Sequence, residues 1–207
     1  MSESTNEKAS EVNLESTGVE EEKNQDSEPE KKDRKNGLRY WIRDIAIAVA
    51  LALILLQFIN PTIVRQESMM NTLHDGDYIF INKQAFRFGE VKHGDIIVFQ
   101  TDELDEDGDP KKLIKRAIAL PGDTLEIKDG EVILNEKILD EPYLREQFTD
   151  GELEEIVIPD DKLFAMGDNR EYSHDSRESD LGLIDFEDLR GKAIFRILPL
   201  SDIGRLR

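Results

Sequence analysis

A mostly β domain of compact, barrel-like antiparallel sheets, preceded by one transmembrane helix, is the fold class this sequence predicts. Three observations carry it. Short β-branched and aromatic runs recur from Gly76 onward, several of them entered from a Gly-Asp pair. Two alternating runs flank Asp129-Gly130, a dipeptide favoured in two-residue hairpin turns. No long amphipathic pattern follows residue 66, whereas an apolar run precedes it.

Taken in order, Met1 to Glu30 holds ten acidic residues, two lysines and almost no apolar side chains. Such a stretch cannot bury enough surface to offset chain entropy, so residues 1–37 read as a disordered, solvating tail with no partner of its own. Lys31, Lys32, Arg34, Lys35, Arg39 and Arg43 then form a basic flank, with Tyr40 and Trp41 at the edge of the apolar run. Residues 38–64 make up this flank and the anchor. A span needs about 20 residues, and Ile45 to Val64 supplies them only by including Gln57 and Asn60. A buried core helix would show a polar stripe, which residues 45–56 lack. A cleaved leader would have a short basic start and small residues at its end; Phe58-Ile59-Asn60-Pro61 stands there instead. The reading is an uncleaved anchor with its N-terminus in the cytoplasm and residues 65–207 outside.

The strands follow as Tyr78–Asn82, Ile96–Phe99, Leu113–Leu120, Thr124–Lys128, Glu131–Leu134, Ile156–Ile158, Leu163–Met166 and Lys192–Leu198. The last is stopped by Pro199, and Leu113–Leu120 is closed by Pro121-Gly122-Asp123.

Charge and composition exclude several functions. The formal net charge is −19, and from residue 45 onward 34 acidic residues face 19 basic ones, a surface that repels phosphate backbones. Nucleic acid is therefore not an expected partner. With no cysteine there are no disulfides and no thiolate metal sites. The acidic loop Thr101 to Pro110 fails as a calcium loop: with Gly108 sixth, Glu103 would be first and Ile114 twelfth, where a bidentate carboxylate is required. No H-E-x-x-H pair occurs, so neither a metal nor a cofactor is expected.

Ser68 lies in Glu67-Ser68-Met69-Met70-Asn71-Thr72-Leu73, directly after the apolar run. A serine nucleophile needs a base. His74, His93 and His174 are the histidines, and although His174 with a carboxylate would make a triad, nothing in its spacing points to Ser68. Lys115 sits in an apolar strand, where burial would bring its pKa down from about 10.4. A neutral lysine takes a proton from a serine hydroxyl without a third residue to fix a tautomer. Strand alternation equally allows Lys115 to face solvent, and composition does not decide between the two.

Four ordered blocks resemble those of bacterial type I signal peptidases, membrane-anchored Ser/Lys endopeptidases. They are Ser68-Met69 with Thr72-Leu73; Gly76-Asp77 through Asn82-Lys83; Lys115-Arg116 with Leu120-Pro121-Gly122-Asp123; and Gly167-Asp168-Asn169-Arg170 with Ser173, Asp175, Ser176 and Arg177. The likeness covers about residues 40–207. It implies Ser68 as nucleophile, Lys115 as general base, and Ser173 as the group that hydrogen-bonds and orients Lys115. Asp175 with Arg177, and Asp168 with Arg116, would be structural charge pairs. The Ser68 amide would supply one oxyanion donor. Where family members with Ser would use its hydroxyl as a second, Gln66 carries an NH2 able to do the same; the alternative is that it points to solvent and another backbone group serves. Val64, Met69, Leu73, Ile79, Leu113 and Ile114 would line shallow apolar pockets for small side chains at the first and third positions before the cut. Residues 124–159 would be a variable β insert. The implied partners are the signal peptides of exported preproteins and membrane lipid, and the implied place is the outer face of the cytoplasmic membrane.

Three positions depart from the family pattern: Gln66 where Gly or Ser is usual, Asn71 where Pro is usual, and Ala119 where Gly is usual. None removes a catalytic atom. A self-cleaving repressor-type Ser/Lys protease is disfavoured by the acidic, membrane-bound chain. The rival from another class is a non-catalytic membrane-anchored β domain that binds exported chains.

Overall fold

The computed structural model describes residues 31–206, so the acidic tail before Lys31 lies outside the described residues. Helix α1 spans Lys31–Phe58. It begins inside the stretch that composition grouped with the tail, because Lys and Arg are good helix formers. From Leu38 to Phe58 every described side chain is exposed. An apolar helix without a polar face and without protein cover needs apolar surroundings, and Gly37–Phe58 is long and apolar enough to cross a membrane. This is consistent with membrane anchoring.

The helix ends before the expected Val64. Pro61 has no amide hydrogen to continue a helix and biases Asn60 toward extended backbone, so Ile59–Ile63 becomes strand β1. β1 pairs only with β2 (Tyr78–Asn82), and this edge position is what tolerates its proline. The remaining strands are β3 (Ile96–Leu104), β4 (Pro110–Ala119), β5 (Thr124–Lys128), β6 (Glu131–Leu134), β7 (Lys137–Ile138), β8 (Leu153–Val157), β9 (Lys162–Met166), β10 (Ile184–Asp185), β11 (Leu189–Leu198) and β12 (Gly204–Arg205). All pairings are antiparallel. An eight-stranded sheet runs β1-β2-β11-β3-β4-β9-β10 with β12 on β11, and a four-stranded sheet runs β7-β6-β5-β8. The mostly β architecture is as expected; β1, β7, β10 and β12 were not legible in the sequence.

Two turns show local chemistry directing the chain. Asp129 and Gly130 both take positive φ, 52° and 83°, as a primed hairpin turn requires. The acidic loop is shorter than expected, because β3 extends to Leu104 and β4 starts at Pro110. Asp105 closes it, its Oδ1 accepting the Asp107 and Asp109 amides at 3.0 Å each.

The large sheet is covered on both faces. Ile96 and Val98 of β3 join a core with Val64, Met69, Leu73 and Ile79, while Ile97 and Phe99 join another with Leu113, Ala117 and Leu163. Period two along the strand separates the sets. A third core, around Ile118, Leu125, Ile127 and Phe164, lies against the small sheet.

Candidate active site

Ser68 stands in a tight turn between β1 and β2. The Met70 amide donates to the Glu67 carbonyl at 3.0 Å and the Leu73 amide to the Met69 carbonyl at 2.8 Å. Met69 and Leu73 are anchored in the core, which fixes the turn on the domain. From the other side, the Asn169 amide donates to the Ser68 carbonyl and Asn169 Nδ2 to the Glu67 carbonyl, both at 3.0 Å. Gly167 is required for this approach: a Cβ there would lie 2.3 Å from the Ser68 carbonyl oxygen.

Lys115 is in the middle of β4, opposite Ile97 of β3, and is 1% exposed. The choice that the sequence left open falls to the buried side. Its Nζ donates to Ser68 Oγ at 2.6 Å. Burial pushes its pKa down to about 8, with the Asp175 carboxylate partly opposing. Neither His93, which pairs with Asp123, nor His174, which pairs with Asp180, hydrogen-bonds Ser68.

Two ion pairs hold the loops around this dyad. Asp175 is fully buried, and its Oδ1 accepts from Arg177 Nε at 2.8 Å while its Oδ2 accepts the Gly167 amide at 3.0 Å. Burial alone would raise its pKa, but the Arg177 guanidinium and these hydrogen bonds hold the carboxyl below its ordinary value. Asp168 accepts from Arg116 Nε at 2.8 Å and Nη2 at 2.7 Å, a bidentate pair with both side chains at most 1% exposed. Arg116 also reaches the Gly94 carbonyl at 2.7 Å, and the Thr72 hydroxyl donates to Asp168. The turn carrying Ser68 is thereby tied to β4 and to the segment after β9.

Two expectations are corrected. Ser173 Oγ is buried beside the Asp175 carboxylate, and it makes no hydrogen bond to Lys115. It is packed against Gly167, where an added Cβ would meet it at 2.3 Å. Of the six pocket residues, Val64, Met69, Leu73 and Ile79 share one core with Ile114 packed against it, whereas Leu113 belongs to the opposite face. Adjacent residues of a strand point to opposite sides, so Leu113 and Ile114 cannot line one pocket face together.

The departures from the family pattern sit at telling backbone positions. Gln66 is exposed with φ 107°, and its amide donates to Asp75 Oδ1 at 3.2 Å. Asn71 has φ 93°, a value closed to proline, so this turn follows a path the usual residue could not take. Its Nδ2 donates to the Tyr143 carbonyl at 3.3 Å. Ala119 is wholly buried, paired with Phe164 just past a bulge.

Sequence reading missed a second network. Buried Arg170 donates to the Gly167 carbonyl at 3.0 Å and also to Thr149 and Glu141. Tyr143 donates to Glu141 at 2.6 Å and presents its ring 4.0 Å from the Arg116 guanidinium. These partners are far apart in the chain and lie in irregular loops, so no local pattern announces them.

Beside Ser68 and Lys115, residues 112–114 of β4 pair with β3 alone, and β9 joins only from Arg116. An open strand edge next to a buried serine–amine pair is equipment that acyl transfer on an extended peptide would use. The chain matches the model of the family described as signal peptidase, peptidase S26, over residues 38–198, and it belongs to that family. It is 39% identical over 191 residues to signal peptidase I of Bacillus licheniformis, covering 86% of this chain and 98% of that protein. It is 36% identical over 199 residues to signal peptidase I T of Bacillus subtilis, covering 90% and 99%. Signal peptidase IB of Staphylococcus aureus is 34% identical over 186 residues, covering 81% and 93%.

Proposed function

We propose that this chain is an endopeptidase that removes signal peptides from exported preproteins after small residues, with Ser68 as nucleophile and Lys115 as general base. The observation that carries the reading is the 2.6 Å contact between Ser68 Oγ and the buried Lys115 Nζ. The substrate adds as a strand at the open edge of β4. Neutral Lys115 takes the Ser68 proton as Oγ bonds to the scissile carbonyl carbon. The resulting ammonium returns that proton to the leaving amine as the C–N bond breaks, which leaves an acyl-serine. Lys115 then takes a proton from water, whose oxygen attacks the ester, and Ser68 recovers its hydrogen. Asp175–Arg177 and Asp168–Arg116 keep the loops in register for these steps. Val64, Met69, Leu73, Ile79 and Ile114 form the apolar floor that favours small side chains. Incubating the detergent-solubilised chain with a preprotein and mapping the new N-terminus tests the proposal. An uncut preprotein, with Ser68 inert to a small acylating inhibitor, would support the non-catalytic binding domain instead.

The pH dependence follows from Lys115. Because its pKa is brought to about 8, the neutral base grows as pH rises through that value, so kcat/KM climbs with pH and levels off above it. A flat profile from weakly acidic to alkaline pH, with chemistry rate-limiting, would contradict a lysine base.

Gln66 is assigned the second oxyanion donor beside the Ser68 amide. Gln66→Ala should then lose about 2.7–4 kcal/mol of transition-state stabilisation, mostly in kcat, and Gln66→Ser should retain part of it. Equal kcat for Gln66→Ala and the parent would show that another group serves.

The basic flank before Ile45 assigns the N-terminus to the cytoplasm and the β domain to the outer face. Protease added outside intact spheroplasts should cut after Val64 and spare epitopes before Arg43. The reverse pattern would invert the topology.

A further inference from the structure

A groove of about 630 Å³ opens beside the nucleophile turn. One wall is Glu67 and Met70, another is the loop carrying Arg145, Glu146 and Phe148, and the third is the turn carrying Glu171 and Tyr172. Its position relative to Ser68 is set by Asn169, which also lines it and whose amide and Nδ2 hold the Ser68 and Glu67 carbonyls. None of the apolar residues assigned to the acyl side of the cut lines this groove. Glu67 precedes Ser68 in the chain, so a peptide with its acyl side on those residues and its scissile carbonyl at Ser68 has this groove within reach of the residues that follow the cut.

The chemistry of the walls is lopsided. Among its solvent-facing side chains Glu67, Glu146, Asp150 and Glu171 are acidic, and only Arg145 is basic. Arg170 and Asp168 also line it, but each is buried in an ion pair, with Glu141 and Arg116 respectively, and adds no free charge. Phe148 and Tyr172 are 57% and 67% exposed, so two aromatic faces stand open beside the carboxylates. Carboxylates with aromatic faces attract cations and repel anions. The amine freed by cleavage leaves neutral and becomes a cation on taking a proton from solvent below its pKa of about 8.

We infer that this groove binds the first residues of the mature chain and selects against acidic side chains there. The inference rests on the cleavage reaction proposed for Ser68, and it adds a specificity determinant on the side of the cut opposite the small-residue pockets.

The test uses the full chain in detergent and three model precursors, alike except for Lys, Ala or Asp at the second and third positions after the cut. Exposed charges are screened and individually weak, so the kcat/KM ratio of the Lys to the Asp precursor should be about 5–10 at low salt and fall toward about 1 at high ionic strength. In Glu146→Lys/Glu171→Lys the order should invert. Taking the ratio within one preparation cancels any loss of folded enzyme. A ratio that is near unity, insensitive to salt, or unchanged in the variant overturns the groove assignment while leaving the reaction intact. Failure to cut any of the three overturns the reaction, and the inference with it.

Discussion

Ser68→Ala and Lys115→Met should each lower kcat/KM on the order of 10⁴- to 10⁶-fold, and the double variant should be no slower than the slower single one. Non-additivity is the informative part. In the proposed mechanism Ser68 Oγ and Lys115 Nζ act on one proton across their 2.6 Å contact, so removing either would remove the whole function of the other. Substantial activity in Lys115→Met would reject the dyad. The same variant should be more stable than its parent at neutral pH. An unfolded lysine keeps its pKa near 10.5, whereas burial brings the folded one to about 8. Between these values the unfolded chain binds more protons, so stability rises with pH across that window and the full penalty applies below pH 8. That penalty is on the order of 3 kcal/mol. Lys115→Met, close in volume and uncharged, escapes it. Pulse proteolysis in urea, at neutral pH and near pH 10.5, reads the effect: the gain should be large at the first and small at the second. A base that costs stability in the pH range where it is charged is easier to attribute to catalysis than to folding.

Arg116→Met should destabilise the domain by about 3–5 kcal/mol, since it strands the Asp168 carboxylate without its bidentate partner at a site at most 1% exposed. Arg116→Met/Asp168→Leu should cost far less, because the desolvation of both charges disappears with them. Activity should separate from stability in this pair. Asp168 also accepts the Thr72 hydroxyl, and Arg116 Nη2 lies 3.3 Å from Thr72 Oγ1. The double variant therefore folds but no longer pins the nucleophile turn, and kcat should fall while unfolding midpoints recover. Urea unfolding of the solubilised chain with single-turnover cleavage on the same samples checks both. If the single and double variants are equally unstable, the pair is not the unit described.

The sequence by itself determined the apolar helix, most of the large sheet and the paired blocks around Ser68 and Lys115. Those signals are local: β-branched and aromatic runs in β2 and β3, alternation in β5 and β6, turn pairs such as Asp129-Gly130, and residue types held within a few positions. What only the tertiary structure decided depends on groups distant in the chain. Alternation allowed Lys115 either face, and packing of β4 between β3 and β9 buried it against a turn 47 residues earlier. The same alternation, read through the actual cores, put Leu113 and Ile114 on opposite faces of β4. Pro61 stopped the helix locally, but that Ile59–Ile63 would become an edge strand required β2 to be there to receive it. Ser173 has the residue type to bond Lys115, yet the fold sets its hydroxyl against Gly167 and beside Asp175 instead. Arg170 stands in a motif block, but its partners Glu141 and Thr149 carry no period and no motif, since a buried ion pair is specified by three-dimensional proximity and desolvation rather than by spacing.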